Sequence, residues 1–159
     1  MVFQHFNLFP NMTIKKNITL APVQLGLMSK EEADSKAMEL LKRVGLSDKA
    51  DSYPDMLSGG QKQRVAISRT ILKQSEIIIF DDATSALDLK TEANLYSMLK
   101  NAYPDTTKII IAQRIASVKD ADRIIILDDG HISAVGTHDE LLKNSAIYQD
   151  IYNSQLNKK

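Results

Sequence analysis

The stretch Leu57-Ser58-Gly59-Gly60-Gln61-Lys62-Gln63-Arg64 decides the fold. Ser58 followed by Gln61 is a capping box, which predicts that a helix begins there. Two glycines at a helix start leave backbone N–H groups open to a ligand, because no Cβ stands in the way. Those amides and the helix dipole favour an anion, so the segment suits a terminal phosphate. The alternative is a glycine-containing turn with a serine cap.

A second informative stretch is the aliphatic run Ile77–Phe80, which is followed by Asp81 and Asp82. An apolar strand that ends in carboxylates places them at the carboxyl edge of a sheet, where α/β folds bind ligands. Asp81 is a candidate Mg²⁺ ligand through water. Asp82 is a candidate to orient or deprotonate a water. The alternative is a pair of solvated acids that open a loop.

Hydrophobic patterning around these stretches predicts an α/β fold. The continuous apolar runs Ile77–Phe80, Ile109–Ala112 and Ile124–Leu127 predict strands buried on both faces, as in a parallel sheet covered by helices. Gly130 then predicts a hairpin turn into residues 132–135. Because strands and helices alternate, βαβ units are expected.

Capping signals predict the helices. Ser29 with Glu32 is a capping box for a helix that ends at Gly45. Three other segments are expected to be helical in whole or part: a loop and short helix within 7–20, a helix over Leu89–Asn101, and a helix that starts at Thr137 and continues past Tyr148.

Composition limits the classes of function. The 159 residues include 20 Lys and Arg, 20 Asp and Glu, and no Cys. No basic field attracts nucleic acid, so no nucleic-acid partner is expected. Without Cys there is no disulfide framework and no thiolate metal site. The apolar runs are short for a membrane helix and no secretory signal is visible, so we expect a soluble chain that meets a membrane through a partner.

Together these motifs resemble an ATP-binding cassette (ABC) transporter ATPase domain. The resemblance is carried by Gln4, Leu57–Gln61, Ile77–Asp82, Ser85–Asp88 and Gln113, in the order and rough spacing of that family. It implies a truncated P-loop NTPase fold, with a mostly parallel sheet flanked by helices and a small helical subdomain. It implies one partial domain over 1–159, with the helical subdomain and signature helix within about 7–75 and the remaining motifs within 76–159.

The resemblance also implies ligands for the first half of the chain. Gln4 is similar to the Q-loop glutamine, which senses Mg²⁺ and the γ-phosphate. Ser58, Gly59, Gly60 and Gln61 resemble the signature motif, which binds nucleotide held by the opposite subunit. The expected cofactors are therefore ATP and Mg²⁺. The expected partners are a second ABC ATPase subunit and a transmembrane transporter domain, with the chain cytoplasmic at the inner face of the cell membrane.

In the second half, four positions match family motifs. Asp81 matches the Walker B aspartate and is expected to share Mg²⁺ with Gln4. Asp82 occupies the place of the catalytic carboxylate, which is normally Glu, and Gln113 occupies the switch position, which is normally His. Asp88 matches the D-loop aspartate at the dimer interface and is assigned to nucleotide binding.

Three departures from the family pattern bear on activity. No Gly-x-x-x-x-Gly-Lys-Ser/Thr occurs in the sequence, and in the family this loop, upstream of the Q-loop, is the main grip on the phosphates. The Asp82 carboxylate is one methylene shorter than Glu, and Gln113 cannot become a cation near neutral pH. We therefore expect no ATP hydrolysis by the chain alone. The signature motif is expected to complete a partner's ATP site instead.

Two further expectations follow from the same resemblance. The stretch from Val2 to about Pro54 resembles polar amino acid importer ATPases, and the stretch from about Ser75 onward resembles multidrug-type exporter ATPases. An uncovered sheet edge and apolar face are expected, and with them marginal stability. Two alternative functions stay open: a non-catalytic interaction or regulatory module, and a soluble cassette protein of DNA repair or translation.

The remaining polar and aromatic residues have plainer interpretations. The three histidines, His5, His131 and His138, lack metal-ligand spacing and are expected at the surface. Tyr148 and Tyr152 stand four residues apart and are expected to pack along a helix. Arg64 is expected to be a structural ion-pair donor rather than a nucleotide contact.

Overall fold

The computed structural model describes residues 6–84 and 87–156, without the side chain of Leu89. The chain divides into two compact units, Met1–Ile111 and Ala112–Lys159. The sequence-predicted motifs at residues 58–61 and 81–88 belong to the first unit, and Gln113 belongs to the second.

Three helices that pack on one another begin the first unit. They are α1 (Ile14–Gln24), α2 (Lys30–Arg43) and α3 (Gly59–Leu72), and short 3-10 turns at Ser47–Lys49 and Pro54–Met56 lie between the last two. Each presents a fully buried apolar residue to a shared core, for example Ile18, Leu41 and Ile67. The first helix begins after the Thr13 cap and continues to Gln24, beyond the short helix expected within residues 7–20.

The end of α2 is a Schellman motif. Gly45 has φ +67°, its N–H donates to the Lys42 carbonyl oxygen at 3.1 Å, and the Leu46 N–H donates to Leu41 at 2.7 Å. This pattern confirms the predicted C-terminal cap. At the other end the Ser29 hydroxyl accepts from the Glu32 N–H at 3.1 Å.

The reciprocal half of that predicted capping box is not formed. The Glu32 carboxylate instead accepts from the Lys36 ammonium at 2.7 Å, one helical turn further on. A lysine four residues after a glutamate competes for the carboxylate that would otherwise turn back to the cap.

Two parallel strands and the helix between them complete the first unit. β1 (Ile77–Asp81) pairs with β2 (Thr107–Ile111) in parallel, with Ile79 opposite Ile109, and α4 (Leu89–Ala102) connects them. This is the predicted βαβ unit. The prediction that both faces of these strands are buried is wrong. Ile78 and Phe80 are buried, whereas Ile77, Ile109 and Ile111 are 56, 46 and 51% exposed.

That alternation has a direct physical reason. Side chains of a strand point to opposite faces in turn, and the described core of this unit includes Ile78 and Phe80 with the buried residues of α4, Leu95 and Leu99. The opposite face carries the three exposed isoleucines, so the expected uncovered apolar face is confirmed.

The second unit contains a β-hairpin among three helices. β3 (Ile124–Asp128) and β4 (His131–Gly136) are antiparallel, and they follow the short helix α5 (Ile115–Val118). Asp129 and Gly130 link the strands, with φ values of +44° and +76°. Positive φ at both central residues is the type I′ geometry that Asp-Gly favours, so the predicted hairpin turn is confirmed.

The prediction of one unbroken helix from Thr137 past Tyr148 is wrong. The structure has α6 (His138–Asn144) and a separate α7 (Ala146–Leu156). Ser145 between them has extended backbone angles, φ −120° and ψ 109°. Its hydroxyl accepts from the Tyr148 N–H at 3.3 Å, so this serine caps a new helix instead of continuing the old one.

Within residues 6–84 and 87–156, every helix is too short or too polar to cross a lipid bilayer.

Candidate functional site

The start of α3 has the geometry that its sequence predicts. The Ser58 hydroxyl accepts from the Gln61 N–H at 3.4 Å, and the Gln61 side-chain oxygen accepts from the Ser58 N–H at 2.9 Å. Both halves of the capping box are therefore present. Gly59 is exposed, and no atom lies within 4 Å of the position its Cβ would occupy.

The capping box leaves two amides available at this helix start. The Lys62 N–H bonds to the Ser58 carbonyl oxygen at 2.9 Å and the Gln61 N–H is capped. The N–H groups of Gly59 and Gly60 have no acceptor among the described residues. Two open amides at the positive end of a 14-residue helix can receive an anion such as a phosphate.

Arg64 anchors this helix to the end of α2. Its Nη1 donates to the Val44 carbonyl oxygen at 2.7 Å, and its Nε donates to Gly60 at 3.4 Å. The expectation of a structural role agrees with these bonds. The expectation of an ion pair does not, because among the described residues no carboxylate lies within ion-pair distance of this guanidinium.

Arg69 attaches the other end of α3 to the segment that follows Gln4. Its terminal nitrogens donate to the carbonyl oxygens of Asn7, at 2.8 Å, and Phe6, at 3.1 Å. Asn7 has φ +45°, a left-handed conformation that asparagine tolerates better than most residues. Burial lowers the pKa of the Arg69 guanidinium, although it remains charged at all ordinary pH values. No local pattern around Arg69 predicts this contact.

Asn17 fixes the loop that precedes α1. The side chain is fully buried, its amide donates to the carbonyl oxygens of Phe9, Met12 and Thr13 at 3.0–3.1 Å, and its oxygen accepts from the Phe9 N–H at 2.7 Å. The two amide hydrogens are thus shared among three carbonyl oxygens, and the side-chain oxygen has a donor as well. An asparagine inside a helical stretch is the one sequence signal that could have drawn attention to it.

The two candidate carboxylates lie at the carboxyl end of β1, as predicted. Asp81 is the last residue of the strand and is half-buried, on the same face as Ile77 and Ile79. Asp82 follows with φ +47°, and its N–H donates to the Ile111 carbonyl oxygen of β2 at 2.9 Å. A non-glycine residue in this region of backbone space is held there by its surroundings.

Asp88 begins α4. Its carboxylate accepts from the Thr91 N–H at 2.9 Å and from the Thr91 hydroxyl at 2.6 Å, and it is exposed. The Thr91 hydroxyl, followed by the Thr91 N–H, lowers the pKa of this carboxyl from its ordinary 3.8. A capping aspartate was not anticipated, although Asp-x-x-Thr before an apolar helix is a recognisable helix start.

Gln113 and Gln4 are not part of the Asp81–Asp88 segment. Gln113 belongs to the second unit, where its side chain is exposed and its carbonyl oxygen accepts from Gln155 Nε2 at 2.8 Å. Gln4 and Ser85, together with His5, lie outside the described residues. Two candidate segments thus belong to the first unit. Asp81, Asp82 and Asp88 lie from the end of β1 to the start of α4, and Ser58–Gln61 lies at the start of α3.

Asp81 by itself could supply only part of the ligand set of a magnesium ion. Among the described residues no three His, Asp or Glu side chains converge as a metal site, and Asp81 contributes one carboxylate. Mg²⁺ keeps several waters and is usually held by one or two carboxylates together with substrate phosphates. A single carboxylate at a strand end fits that arrangement.

His138 and two tyrosines form a packed cluster in the second unit. His138 Nδ1 lies 2.8 Å from the Tyr148 hydroxyl, and its ring meets those of Tyr148 and Tyr152 edge-on. Tyr148 is 1% exposed, and burial raises its pKa. The prediction that the tyrosines pack is confirmed. The surface prediction holds for His131, which is exposed, but His138 is half-buried against these rings.

Comparison with known proteins agrees with this geometry. The sequence model of the family described as "ABC transporter" matches residues 1–85. The probable ABC transporter ATP-binding protein PEB1C of Campylobacter jejuni is 45% identical over 147 residues, which cover 91% of this chain and 61% of that protein. The glutamine transport ATP-binding protein GlnQ of Geobacillus stearothermophilus is 42% identical, with coverages of 91% and 60%.

Solved structures show the same relationship. A bacterial Atm1-family ABC exporter with ATP bound superposes with a TM-score of 0.81 at 30% identity, over 96% of this chain and 28% of that one. The dimeric ABC transporter cassette MJ0796 gives 0.77 at 36% identity, with coverages of 86% and 61%. The fold is therefore that of an ABC ATPase cassette. The chain belongs to the ABC transporter family and spans about three-fifths of the length of the curated relatives named here.

Proposed function

We propose that this chain is a nucleotide-binding part of an ABC transporter, and that its α3 helix start completes an ATP site on a second cassette. The observation that carries the proposal is the pair of Gly59 and Gly60 amides, which have no acceptor among the described residues, beside an exposed Ser58 and an exposed Gly59. Hydrogen-bond donors at a helix start are well suited to the negative tip of a triphosphate. The dimeric state of the related cassette MJ0796 supports a second subunit as the carrier of that nucleotide.

The roles of the remaining site residues follow from the same arrangement. Asp81 would hold Mg²⁺ together with nucleotide phosphates and Gln4, and Asp82 would orient a water. Asp88 and Gln113 would take the D-loop and switch positions. Because Asp82 and Gln113 are weaker groups than Glu and His for these roles, we propose that the chain supports the partner's ATPase more than its own.

The transported compound is proposed from the relatives. The similar proteins include ATP-binding proteins whose names refer to the transport of glutamine, glutamate and arginine. We therefore propose amino acid transport, with the chain peripheral to the membrane through a transmembrane partner, and with residues 1–159 as one partial cassette domain.

The test is a complementation of ATP hydrolysis in trans. The probe is the Geobacillus stearothermophilus GlnQ protein with its own signature serine changed to arginine, so that its homodimer lacks a working signature. Addition of this chain should restore ATP hydrolysis, because Ser58–Gln61 supplies the missing donors. Loss of one such donor costs on the order of 100-fold in rate in other enzymes, so Ser58→Arg should remove the restored activity.

The control separates this effect from helix capping. Ser29 is also an exposed N-cap serine, with its hydroxyl accepting from the third amide of α2 at 3.1 Å. Ser29→Arg should lose a comparable capping energy of about 1 kcal/mol and still restore hydrolysis. Equal activity of wild type and Ser58→Arg would contradict the proposal. Association of the two proteins without hydrolysis would favour the interaction-module alternative.

A further inference from the structure

The inner face of α4 carries polar side chains where the face is otherwise apolar. Leu95 and Leu99 are buried against the core, and Glu92 on the same face is only 3% exposed. Tyr96 meets Phe80 of β1 edge-on, with ring centroids 6.1 Å apart. A buried carboxylate is costly unless it is hydrogen-bonded. Its presence among the buried residues of this face therefore needs an explanation beyond packing.

The partner of this carboxylate is Thr84. The Thr84 hydroxyl donates to Glu92 Oε1, and it lies 3.1 Å from the Tyr96 hydroxyl. Thr84 is itself 3% exposed. A hydrogen bond in a low-dielectric setting is stronger than the same bond in water. This bond therefore holds Thr84 firmly against α4.

Thr84 lies within the loop from Asp82 to Asp88. At the near end the Asp82 N–H is bonded to the Ile111 carbonyl oxygen at 2.9 Å, with φ +47° at Asp82. At the far end the Leu87 N–H donates to the Thr84 carbonyl oxygen at 3.0 Å, and Asp88 caps α4. The described residues of this loop are thus held at Asp82, at Thr84 through Glu92, and at Leu87 and Asp88.

We propose that Glu92 and Thr84 are positioning residues whose buried hydrogen bond sets the geometry of the loop that carries Asp82 and Asp88. Both side chains are 3% exposed, so their proposed role is to position the loop and not to bind a ligand. Their effect on hydrolysis rests on the proposed function, since it is through Asp88 that a partner cassette would meet this loop. Their effect on the loop itself is independent of any partner.

The first experiment measures hydrogen exchange in the full chain alone. Thr84→Val keeps the shape of the side chain and removes the hydroxyl, whereas Thr84→Ser keeps the hydroxyl. We expect exchange of the Asp82 and Leu87 amides to be about 10-fold faster in Thr84→Val, because one strong tether is lost. In Thr84→Ser it should stay within about 3-fold of wild type, since the donor is retained.

A matched control comes from Thr70, whose hydroxyl donates to the Ala66 carbonyl oxygen at 3.1 Å within α3. Thr70→Val makes the same chemical change away from the loop, and it should leave the Asp82 and Leu87 amides unchanged. Unchanged exchange in Thr84→Val, or equal acceleration by Thr84→Ser, would overturn the proposal. If Thr84→Val does not fold, Glu92→Gln replaces it, with a smaller acceleration of about 3-fold because the amide oxygen can still accept from Thr84.

The second experiment uses the complementation of the GlnQ probe described above. Thr84→Val should lower the restored kcat on the order of 10-fold with little change in KM for ATP, because the loop is misplaced while phosphate binding persists. Thr84→Ser should rescue it. If wild type itself restores no hydrolysis, the proposed function fails, and the exchange measurement still decides the positioning roles. If wild type restores it and Thr84→Val does so equally, the catalytic part of this inference is wrong.

Discussion

Arg69 Nη1 and the Asn7 carbonyl oxygen are joined by a 2.8 Å hydrogen bond across 62 residues of sequence. The second terminal nitrogen of the same guanidinium reaches Phe6 at 3.1 Å. The helix that begins after Ser58 is therefore hydrogen-bonded, near its C-terminal end, to the segment that follows Gln4. A shift in the position of α3 would therefore displace Phe6 and Asn7 through these two hydrogen bonds.

Arg69→Met should release this grip while it preserves the packing of the side-chain stem. We expect the free energy of unfolding to fall by about 1–3 kcal/mol, since a charged donor to two carbonyls is lost. Chemical denaturation measures it, with Lys73→Met as the control, because Lys73 is an exposed cation at the end of the same helix. A change within 0.5 kcal/mol for Arg69→Met, roughly that expected of an ordinary surface substitution, would show that the grip is dispensable.

Asn17→Ala should destabilise the first unit by about 1–3 kcal/mol, because the Phe9 amide and the Met12 carbonyl oxygen lose a partner, while the Phe9 and Thr13 carbonyl oxygens keep only their backbone donors. Asn17→Asp should be at least as damaging. Its carboxylate can still accept from Phe9, but it faces the carbonyl oxygens of Phe9, Met12 and Thr13 without a donor. Thermal melts of the two variants test this order. An aspartate variant that is as stable as wild type would contradict it.

Gly45→Ala and Gly59→Ala should act oppositely. Gly45 has φ +67°, so a Cβ there costs about 1 kcal/mol or more of folding free energy. Gly59 lies in a helix with open space around it, so alanine should leave the free energy of unfolding unchanged or raise it.

The two substitutions should have the opposite order of effect on complementation: the less destabilising one, Gly59→Ala, should reduce ATP hydrolysis more. Gly59→Ala should reduce complementation of the GlnQ probe, because a Cβ blocks close approach of a phosphate to the amide. Gly45→Ala should reduce it less at temperatures where the chain remains folded. Full complementation by Gly59→Ala would argue against phosphate contact at this amide.

The Asp88 carboxyl should titrate below its ordinary pKa of 3.8. Since the folded-state pKa is lowered, its stabilising effect is present above pH 3.8 and is lost as the pH falls through the folded-state value. Thr91→Val removes the hydroxyl donor, so the pKa should rise towards 3.8. Carboxyl carbon shifts followed by NMR measure it. Thr107→Val, on the β2 strand, should leave the Asp88 titration unchanged.

The exposed isoleucines of β1 and β2 should limit the behaviour of the isolated chain. We expect a thermal midpoint below about 60 °C that depends on concentration, because exposed apolar strand faces associate. Ile109→Thr should slow aggregation with a small effect on the midpoint, since this side chain is 46% exposed. A sharp transition above 60 °C at all concentrations, the upper end of the ordinary range of roughly 45–65 °C, would contradict this expectation.

Local signals in the sequence predicted most of the fold. The capping pairs Ser58 with Gln61 and Thr137 with Glu140, and the Asp129–Gly130 turn, act between residues no more than three apart. Such contacts depend on backbone geometry that neighbouring residues alone determine, so a sequence pattern is enough to predict them.

Contacts between distant residues could not be predicted in this way. The grip of Arg69 on Phe6 and the bond from Arg64 to Val44 depend on how helices pack, and a basic residue on a helix has many possible acceptors. The break at Ser145 was missed because serine permits both continuation and capping, and tertiary packing selects one of them.

Burial of strand faces was the other miss. A continuous run of isoleucines is compatible with a strand that is covered on one face or on both. The sequence of β1 alone does not show which elements pack against each face. The roles of the Asp81–Asp88 loop and of Gln113 stay predictions for the experiments above.

The bond between Arg64 and the last turn of α2 has a genetic consequence. The Val44 carbonyl oxygen accepts a hydrogen bond from Arg64 and so helps to hold the glycine-rich start of α3 in position. A substitution that distorts the Gly45 turn can therefore impair this helix start without altering any of its residues. Random screens for inactive variants should therefore recover substitutions near position 45 beside those at 58–61, and suppressors of the former should strengthen α2 rather than restore a ligand contact.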